Sequence, residues 1–268
     1  MMKRILITGA AGVIGSTLRA GLRGACPLLR LSDARPLPTP AAGEECVSAD
    51  LRDFPAVASL MRGMDCVVHL GGIPREGPWE AILDNNIIGT YNVFEAARQC
   101  GVKRVIFASS NHVIGYYRAS KMLGIEEPPR PDSRYGVSKV FGEALGRLYA
   151  DKHGLSVACL RIGSFRERPQ NARQLATWIS PRDMVQLVRC CIDAPDYRFL
   201  VLYGVSDNSR SRWHNPAAAV VGYRPQDNAE ACASEFKMPL ADGADPAVEF
   251  HGGDFCALEF YNEINRID

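Results

Sequence analysis

The sequence has no excess of charge of either sign. Its 268 residues include 31 lysines and arginines and 30 aspartates and glutamates, which gives a formal net charge of +1. Proteins that bind nucleic acids or anionic membranes through surface charge usually carry a clear basic excess. The composition therefore gives no indication of a nucleic acid or an anionic membrane as a partner.

Long hydrophobic runs are also missing. No apolar run approaches the roughly 20 residues that a membrane-spanning helix needs. The start of the chain superficially resembles a signal peptide, because Lys3 and Arg4 precede an apolar run. That run is short, it breaks at Gly9, and it is needed as the first strand of the fold. We therefore expect neither a signal peptide nor a membrane segment.

The nine cysteines and five histidines form none of the usual paired or clustered patterns. There is no C-x-x-C pair, and the histidines lack the spacing of metal ligands. Cys190 and Cys191 are adjacent in a segment with a helical pattern, where a disulfide between them is disfavoured. We expect reduced cysteines, a cytoplasmic protein and no metal site.

A glycine-rich turn follows the first apolar run, with the spacing G-x-x-G-x-x-G at Gly9, Gly12 and Gly15. Gly9 permits a tight turn, Gly12 allows a pyrophosphate to approach the backbone, and Gly15 lets a helix pack closely on the strand. The free N–H groups at the start of that helix suit a phosphate. The motif predicts a dinucleotide site. By itself it is equally consistent with an ordinary strand–turn–helix of small residues.

Strand-like and helix-like segments alternate along the chain, with no internal repeat and no break in composition. This order predicts an α/β fold with a doubly wound parallel sheet and a ligand site at the carboxyl ends of the strands. We expect a single domain over 1–268. Residues 1–162 would form mainly the nucleotide-binding core, and 163–268 a small substrate-covering subdomain. Strands are predicted at 5–8, 28–33, 46–51, 65–72, 102–109, 155–162 and 199–203, and helices from about 12 and at 53–63, 79–100, 133–152, from 181 and at about 216–221.

Three predicted strands end in residues suited to a dinucleotide. Asp33 lies about 20 residues after the glycine turn, where a carboxylate can accept hydrogen bonds from the adenosine ribose. Its alternative is a turn aspartate. Asp50 and Leu51 would meet the adenine ring, and Gly71 would allow the cofactor to approach the backbone. His69, by contrast, is expected to be a packing residue at a strand end.

A tyrosine and a lysine four residues apart form the candidate catalytic pair. Tyr135 and Lys139 lie on a predicted helix and therefore face the same way. An ammonium near a phenol favours the phenolate, so we expect the pKa of Tyr135 to fall, which suits it to take a proton from an alcohol. The spacing alone is common on exposed helix surfaces. Ser109 and Ser110 end the preceding strand, and a serine hydroxyl at that place can hold the reacting oxygen.

Together these motifs resemble the extended short-chain dehydrogenase/reductase superfamily, in the correct order over nearly the whole chain. The resemblance implies a Rossmann sheet, NAD as cofactor, and catalytic roles for Ser110, Tyr135 and Lys139, with Lys139 also holding the nicotinamide ribose. It implies a homo-oligomer built on a dimer paired through the helices at 79–100 and 133–152. The implied NAD-binding residues are Gly9, Gly12, Val13, Ile14, Gly15, Asp33, Asp50, Leu51, Leu70, Gly71, Gly72, Asn86, Ser109, Tyr135, Lys139 and Ile162.

Within the superfamily the chain is most similar to the bacterial uronate dehydrogenases. Those enzymes oxidise the cyclic form of galacturonate or glucuronate at C1 with NAD and release an aldarolactone. The segments that carry this likeness begin at Ser109, Tyr135, Arg161 and Asp227. The substrate-binding residues that it implies are Ser110, Asn111, His112, Tyr135, Ser164 and Arg173, the last as the partner of the sugar carboxylate.

One position departs from that pattern. Pro74 replaces a serine that contacts substrate in the family, and Arg75 follows it, so that a hydroxyl is lost and a cation is added as a possible substrate contact. A related sugar acid therefore stays open as substrate. Two other functions also stay open: a sugar-nucleotide epimerase or dehydratase of the same superfamily, and a non-catalytic NAD-sensing protein.

Overall fold

A seven-stranded parallel sheet forms the frame of the molecule in the computed structural model, which describes residues 3–239 and 243–267. The strand order is β3-β2-β1-β4-β5-β6-β9, and all six neighbouring pairs are parallel. Two short strands, β7 and β8, pair separately. The strands are β1 Ile5–Thr8, β2 Leu29–Asp33, β3 Glu44–Ser48, β4 Cys66–His69, β5 Arg104–Ser110, β6 Ser156–Ile162, β7 Ser164–Phe165, β8 Trp178–Ile179 and β9 Phe199–Gly204.

Helices connect the strands, and shorter helices follow the last one. The α-helices are α1 Val13–Leu22, α2 Phe54–Met61, α3 Trp79–Ile82, α4 Gly89–Gln99, α5 Arg134–His153, α6 Gln174–Thr177, α7 Pro181–Asp193, α8 Ala217–Val221, α9 Pro246–Glu249 and α10 Asp254–Ala257. A π-helical segment, Leu83–Ile88, joins α3 to α4, and 3₁₀ helices cover Asn111–Ile114, Ala229–Glu235 and Ile264–Arg266.

Both faces of the sheet are buried, as a doubly wound fold requires. Leu6, Val67 and Phe107 pack on one side in a core that also includes apolar residues of α2, α4 and α5. Ile7 and Val68 point to the other side, where α1 and α7 cover them. The predicted α/β fold and its doubly wound parallel sheet are confirmed.

The strand order reverses between β1 and β4, because the chain first builds outward to β3 and then returns to continue from β4 to β9. In such sheets the crevice at the reversal lies beyond the carboxyl ends of the strands and takes the ligand. The glycine turn after β1 and the Leu70–Gly72 segment after β4 therefore border one crevice. The sequence pattern predicted each of these two segments at the carboxyl end of its strand.

The third strand lies earlier in the chain than predicted, at Glu44–Ser48 rather than 46–51. The acidic residues at its start had the pattern of a loop. Glu44 is nevertheless buried, because its carboxylate accepts hydrogen bonds from Arg19 on α1, the shortest at 2.6 Å. Arg19 lowers the pKa of Glu44 to about 2, which keeps the buried carboxylate charged. Asp50 and Leu51 consequently follow the strand instead of ending it.

The long helix predicted at 79–100 is helical over almost that span but is not uniform. Its middle, Leu83–Ile88, has π-helical hydrogen bonding, with one wider turn between α3 and α4. Wider turns of this kind are rare and often found at functional sites. Periodicity of apolar residues cannot reveal such a turn, since the helix continues in the same direction on either side.

The C-terminal part contains more structure than predicted. The helix expected near 216–221 is present as α8, but the segments Ala229–Glu235, Pro246–Glu249 and Asp254–Ala257 are also helical. These elements are short and follow no amphipathic pattern long enough to be recognised. They are held instead by contacts with the body of the fold, such as the backbone bond from His251 N to Tyr117 O at 2.9 Å.

In residues 3–239 and 243–267, no helix has both the length and the apolarity needed to cross a membrane. The same residues contain no cluster of three or more potential metal ligands. All nine cysteines are free, and Cys190 and Cys191 both lie within α7, as predicted.

Candidate active site

The glycine turn after β1 has a geometry that only glycine can adopt. Gly9 has φ +70°, and a Cβ atom there would lie 2.7 Å from the backbone nitrogen of Gly71. A Cβ atom at Gly15 would lie 2.5 Å from the carbonyl oxygen of Gly9. Gly12 closes the turn by donating its N–H to the same oxygen at 3.0 Å. The turn thus brings β1, α1 and the end of β4 as close together as backbones can come.

The N-terminus of α1 is open to an anion. Gly12 is its N-cap and supplies no side chain, and the first turn contains no acidic residue. Val13 and Ile14 begin the helix, with the Val13 side chain exposed. Free N–H groups and the positive end of the helix dipole favour a phosphate here.

Asp33 ends β2 next to this turn, at the position expected for a ribose-binding carboxylate. Its Oδ2 accepts the N–H of Ala11 at 2.9 Å, and its Oδ1 accepts from the N–H and from the guanidinium of Arg35. Desolvation raises the pKa of Asp33, but the hydrogen bonds from Arg35 and Ala11 outweigh it and hold the pKa below its usual value. Asp33 is therefore a fixed, ionised acceptor beside the glycine turn.

The residues predicted to surround the adenine and the middle of the cofactor lie around the same edge. Leu51 approaches Gly71 so closely that a Cβ atom there would lie 2.4 Å from Leu51 Cδ1. Gly72 has φ +134°, again a conformation suited to glycine. Asp50, however, forms an ion pair with Arg52, at 2.5 Å between Oδ2 and Nη2.

Asn86 supports this edge from the π-helical segment. Its Oδ1 accepts the N–H of Ile73 at 2.7 Å, and its Nδ2 donates to the Ile73 carbonyl and to Ser138 Oγ. All of these bonds are to protein groups, so the buried amide fixes the backbone that follows β4. Ile162, the last predicted cofactor residue, ends β6 and is buried.

Tyr135 and Lys139 lie one turn apart on α5, as predicted. Ser133 caps this helix by accepting the N–H of Gly136 at 3.0 Å, which sets its start at Arg134, one residue before Tyr135. The Lys139 ammonium lies 5.5 Å from the centre of the Tyr135 ring and 5.0 Å from that of Phe107. Both side chains are buried.

The electrostatics of this pair differ from the expectation. Burial raises the pKa of Tyr135 to about 12, against which the Ser110 hydroxyl acts by hydrogen bonding. Burial also lowers the pKa of Lys139 to about 8. The prediction that the pKa of Tyr135 falls is therefore wrong for this structure, because burial of the phenol outweighs the hydrogen bond from Ser110, and the charge of Asp132 also raises the pKa.

The two serines at the end of β5 point to different surroundings. Ser110 faces Tyr135 and accepts the N–H of His112 at 3.2 Å. Ser109 instead donates to Glu143 Oε1 at 2.6 Å, and Glu143 forms a buried ion pair with Arg161 at 2.9 Å. Ser110 thus belongs to the candidate catalytic group, whereas the Ser109 side chain is engaged beneath it.

Arg173 brings a positive charge to this group without a carboxylate partner. Its guanidinium donates to the His251 carbonyl, at 2.6 Å for the shorter bond, and to the side-chain oxygen of Asn111 at 2.9 Å with the Asn111 amide in its satisfied orientation. Burial lowers the pKa of Arg173, with Asp132 acting in the opposite direction. Within the described part of the chain, no carboxylate lies at ion-pair distance from Arg173.

Two further predicted substrate residues lie near this cation. His112 lies edge-on to Tyr135, with ring centres 5.8 Å apart, and the ring of Phe255 stacks on it at 3.9 Å. Ser164, on β7, shares a hydrogen bond of 2.9 Å with the Thr177 hydroxyl. The structure thus brings Ser110, Asn111, His112, Tyr135 and Arg173 into one connected group, and it bonds Ser164 to the last residue of α6, Thr177.

Arg75 is exposed, in the loop between β4 and α3, and no contact of it with the connected group is present in residues 3–239 and 243–267. The next residue, Glu76, is the one that reaches the catalytic helix. Its carboxylate accepts the N–H of Tyr135 at 3.0 Å and pairs with Arg134 at 2.6 Å.

Sequence reasoning missed several residues that line this group. Asp132 hydrogen bonds to His112, and Phe255 stacks on the His112 ring. His251 supplies the backbone carbonyl that accepts from Arg173. Phe255 and His251 lie beyond the last predicted helix at about 216–221, where the sequence predicted no further element. The Gly252–Gly253 pair in the sequence could have indicated that the backbone comes close to another part of the site here. A Cβ atom at Gly253 would lie 2.7 Å from the Arg173 side chain.

Comparison with known proteins supports a single family over most of the chain. Residues 5–181 match the NAD dependent epimerase/dehydratase family. Uronate dehydrogenase from Pseudomonas putida is 44% identical over 262 residues, which cover 97% of each chain.

Solved structures give the same result at the level of the fold. Glucuronic acid dehydrogenase from Chromohalobacter salexigens superposes with a TM-score of 0.92 at 43% identity, covering 99% of both chains. A mutant of uronate dehydrogenase from Agrobacterium tumefaciens, complexed with NAD, superposes with a TM-score of 0.91 at 46% identity and covers 96% of this chain and 97% of its own.

Proposed function

The chain belongs to the NAD dependent epimerase/dehydratase family, and we propose that it is an NAD-dependent uronate dehydrogenase that oxidises a cyclic uronic acid at C1 to an aldarolactone. Galacturonate and glucuronate are the proposed substrates. The relatives named above are called uronate dehydrogenase and glucuronic acid dehydrogenase, and they match almost the whole chain. The observation that carries the sugar-acid assignment is Arg173, a partly buried cation that donates to Asn111, the residue after Ser110.

The edge of the sheet fits NAD. Glycines at positions 9 and 15 leave a cradle that a Cβ atom would fill, and the open N-terminus of α1 suits the pyrophosphate. Asp33 is ionised and held beside that turn to accept from the adenosine ribose. When bound, NAD supplies the acceptor for the hydride that leaves C1.

The proposed chemistry of the protein itself is one proton transfer. Tyr135 takes the proton of the C1 hydroxyl, Ser110 donates a hydrogen bond to the same oxygen, and Lys139 stabilises the phenolate. As hydride leaves C1, the C1–O bond becomes the carbonyl of the lactone. Burial raises the pKa of Tyr135, so its phenolate is a strong base once it forms. The Lys139 ammonium lies 5.5 Å from the centre of the Tyr135 ring.

Arg173 supports recognition of the substrate carboxylate. A guanidinium can bind a carboxylate through two parallel hydrogen bonds, and the geometry leaves this one held only by neutral acceptors. A buried cation without a counter-ion is costly, so a ligand carboxylate stabilises it. Arg75 is proposed as a second contact, at the position after the family's serine.

Three broader features are proposed with this function. Residues 163–268 cover the sugar, since Arg173 and Phe255 both come from that part. The enzyme forms a dimer through α4 and α5, on which the apolar side chains of Tyr91, Val137 and Leu148 are exposed. Sedimentation equilibrium tests the dimer by measuring the mass of the particle in solution. Nine free cysteines support a reducing, cytoplasmic compartment, which fractionation of cells checks.

The proposed function is tested by incubating the enzyme with NAD and a panel of galacturonate, glucuronate, the matching neutral hexoses and a UDP-hexose. NADH that accumulates at 340 nm with a uronate, together with lactone identified by NMR, is the expected result. An epimerase would convert the UDP-hexose without net NADH, and a non-catalytic NAD-binding protein would change none of the substrates. Either of those outcomes would replace the proposed function.

A further inference from the structure

A buried carboxylate lies directly behind the candidate sugar site and takes no part in the chemistry proposed above. Asp132 Oδ2 is 2.7 Å from His112 Nδ1. The Asp132 side chain has no exposed surface, whereas 14% of the His112 side chain is exposed. The pair therefore joins a fully buried acid to a ring that reaches the cleft.

The packing around Asp132 leaves its carboxylate a single position. A Cβ atom at Gly115 or at Gly252 would lie 1.9 Å from Oδ2, so both glycines make room for this oxygen. The other oxygen, Oδ1, accepts the hydroxyl of Ser133 at 2.7 Å. Cys256 Sγ lies 3.9 Å from Oδ2. Two chain segments that are far apart in sequence thus enclose the carboxylate.

The His112 ring is fixed in orientation as well. Phe255 stacks on it with an angle of 18° between the planes, and Tyr135 meets it nearly edge-on at 70°. In residues 3–239 and 243–267, no hydrogen-bond partner meets Nε2, the nitrogen opposite the one that Asp132 holds. Nε2 is therefore the polar atom of the ring that is left for a ligand.

An ionised carboxylate can only accept hydrogen bonds, so the proton of a neutral ring beside it resides on Nδ1 and Nε2 keeps its lone pair. We propose that Asp132 is a positioning residue that fixes His112 in the Nδ1–H tautomer, so that Nε2 accepts a hydrogen bond from a hydroxyl of the sugar. This inference rests on the proposed function for the identity of the ligand, but not for the state of the ring.

Three polar or charged groups surround the pair of Asp132 and His112. The groups that face the pair are the Tyr135 hydroxyl, the Arg173 guanidinium and the Cys256 thiol. Burial raises the pKa of the Cys256 thiol above its usual value, so this group is a neutral thiol beside the carboxylate.

Asp132→Asn provides a directed test because Ser133 determines which way the amide would lie. Ser133 Oγ accepts the N–H of Gly136 and donates its own proton to Oδ1. An asparagine oxygen would take that place, which turns the amide nitrogen toward His112 Nδ1. The amide would then donate to Nδ1, and the proton of the ring would move to Nε2.

The measurement is a long-range ¹H–¹⁵N NMR spectrum of protein labelled at histidine, with the His112 signals assigned by their loss in His112→Gln. We expect Nδ1 to be protonated in the wild type and Nε2 to be protonated in Asp132→Asn. Glu76→Gln, which removes a carboxylate from the same helix end without touching His112, is the matched control and should leave the tautomer unchanged. A doubly protonated ring, an Nε2–H wild type, or a tautomer that Asp132→Asn leaves unchanged overturns the inference.

Kinetics separate positioning from a structural effect. Asp132→Asn should raise KM for the uronate about tenfold with a smaller change in kcat, since a hydrogen bond made equally in the ground and transition states is lost. In a His112→Ala background the same change should have no further effect. An equal loss in that background indicates that Asp132 acts on the fold and contradicts the inference. If the wild type oxidises no uronate, the proposed function fails, while the NMR result still decides the tautomer.

Discussion

At the scale of single residues, the proposed reaction depends first on one phenolic oxygen. Tyr135→Phe removes it and keeps the ring that packs against His112 and Phe255. We expect turnover to fall by at least about a hundredfold, the usual scale for the loss of a general base, with NAD affinity retained. Stopped-flow assays and calorimetric titration with NAD measure the two quantities. Tyr261→Phe, at an exposed position, is the control, and near-normal turnover in Tyr135→Phe would show that another group takes the proton.

The charge on Arg173 should set the preference for acidic sugars. A charge-assisted, two-point hydrogen bond in a partly dry site contributes about 1.5–3 kcal/mol, which is roughly ten- to hundredfold in kcat/KM. Galacturonate should therefore exceed galactose by at least that factor, and Arg173→Lys or Arg173→Ala should reduce the ratio.

Arg75→Ala serves as the comparison for that ratio. If it abolishes the preference while the Arg173 variants keep it, the carboxylate binds at Arg75 instead. A wild type that oxidises neutral hexoses equally well would contradict recognition of a sugar acid while leaving a dehydrogenase.

Asp33 should make the enzyme select NAD over NADP. A 2′-phosphate would meet this carboxylate as a like charge, so we expect a preference of about a hundredfold in kcat/KM, which corresponds to about 2.8 kcal/mol. Arg35 already pairs with Asp33. Asp33→Ala should free that guanidinium and improve kcat/KM for NADP. Equal values for the two cofactors in the wild type would refute the assignment of Asp33.

At the scale of elements, His69 connects two strands and a helix through its ring. Nδ1 contacts Thr8 Oγ1 on β1 at 2.8 Å, and Nε2 contacts Thr90 Oγ1 on α4 at 3.3 Å. Burial lowers the pKa of His69 to about 3. The sequence predicted a packing residue here, and these contacts agree with that prediction.

The low pKa of His69 has a consequence for stability. Because its unfolded value is about 6.5, the unfolded chain binds the proton more readily than the folded protein does between pH 6.5 and about 3. Falling pH should therefore cost about 1.4 kcal/mol of unfolding free energy per unit in that window from this residue. Urea unfolding at pH 7 and pH 4.5 measures the loss, and His69→Gln should show a smaller difference between the two values.

His153→Gln, at an exposed site, is the matched control for that titration and should behave like the wild type. An unchanged pH dependence in His69→Gln would mean that this ring is not the group that titrates.

Sequence periodicity predicted long elements well and short or irregular ones poorly. The strands that form the centre of the sheet and the capped helix α5 have strong local patterns. The π-helical segment Leu83–Ile88 does not, because its wider turn follows from how Asn86 bonds to Ile73 and Ser138, which are distant in sequence. The start of β3 was missed for a similar reason, since the burial of Glu44 depends on its ion pairs with Arg19 and Arg23 on α1 and just beyond it.

At the scale of the whole molecule, the candidate site combines parts that the sequence predicts to different degrees. The glycine turn, Asp33 and the Tyr135–Lys139 pair have short motifs, and the structure places them at one edge of the sheet. The wall made by Phe255, and Asp132 behind it, depends on the C-terminal segment folding back onto the loop after β5. Contacts of that range leave no local pattern, so only the structure reveals them.

The most direct test of the central proposal follows one hydrogen atom. Uronate carrying deuterium at C1 is incubated with the enzyme and NAD, and the products are separated and analysed by mass spectrometry and NMR. The account predicts one deuterium in the reduced cofactor for each lactone formed, because Tyr135 takes only the hydroxyl proton. Deuterium that stays in or returns to the sugar, or a reduced cofactor without deuterium, would contradict oxidation at C1.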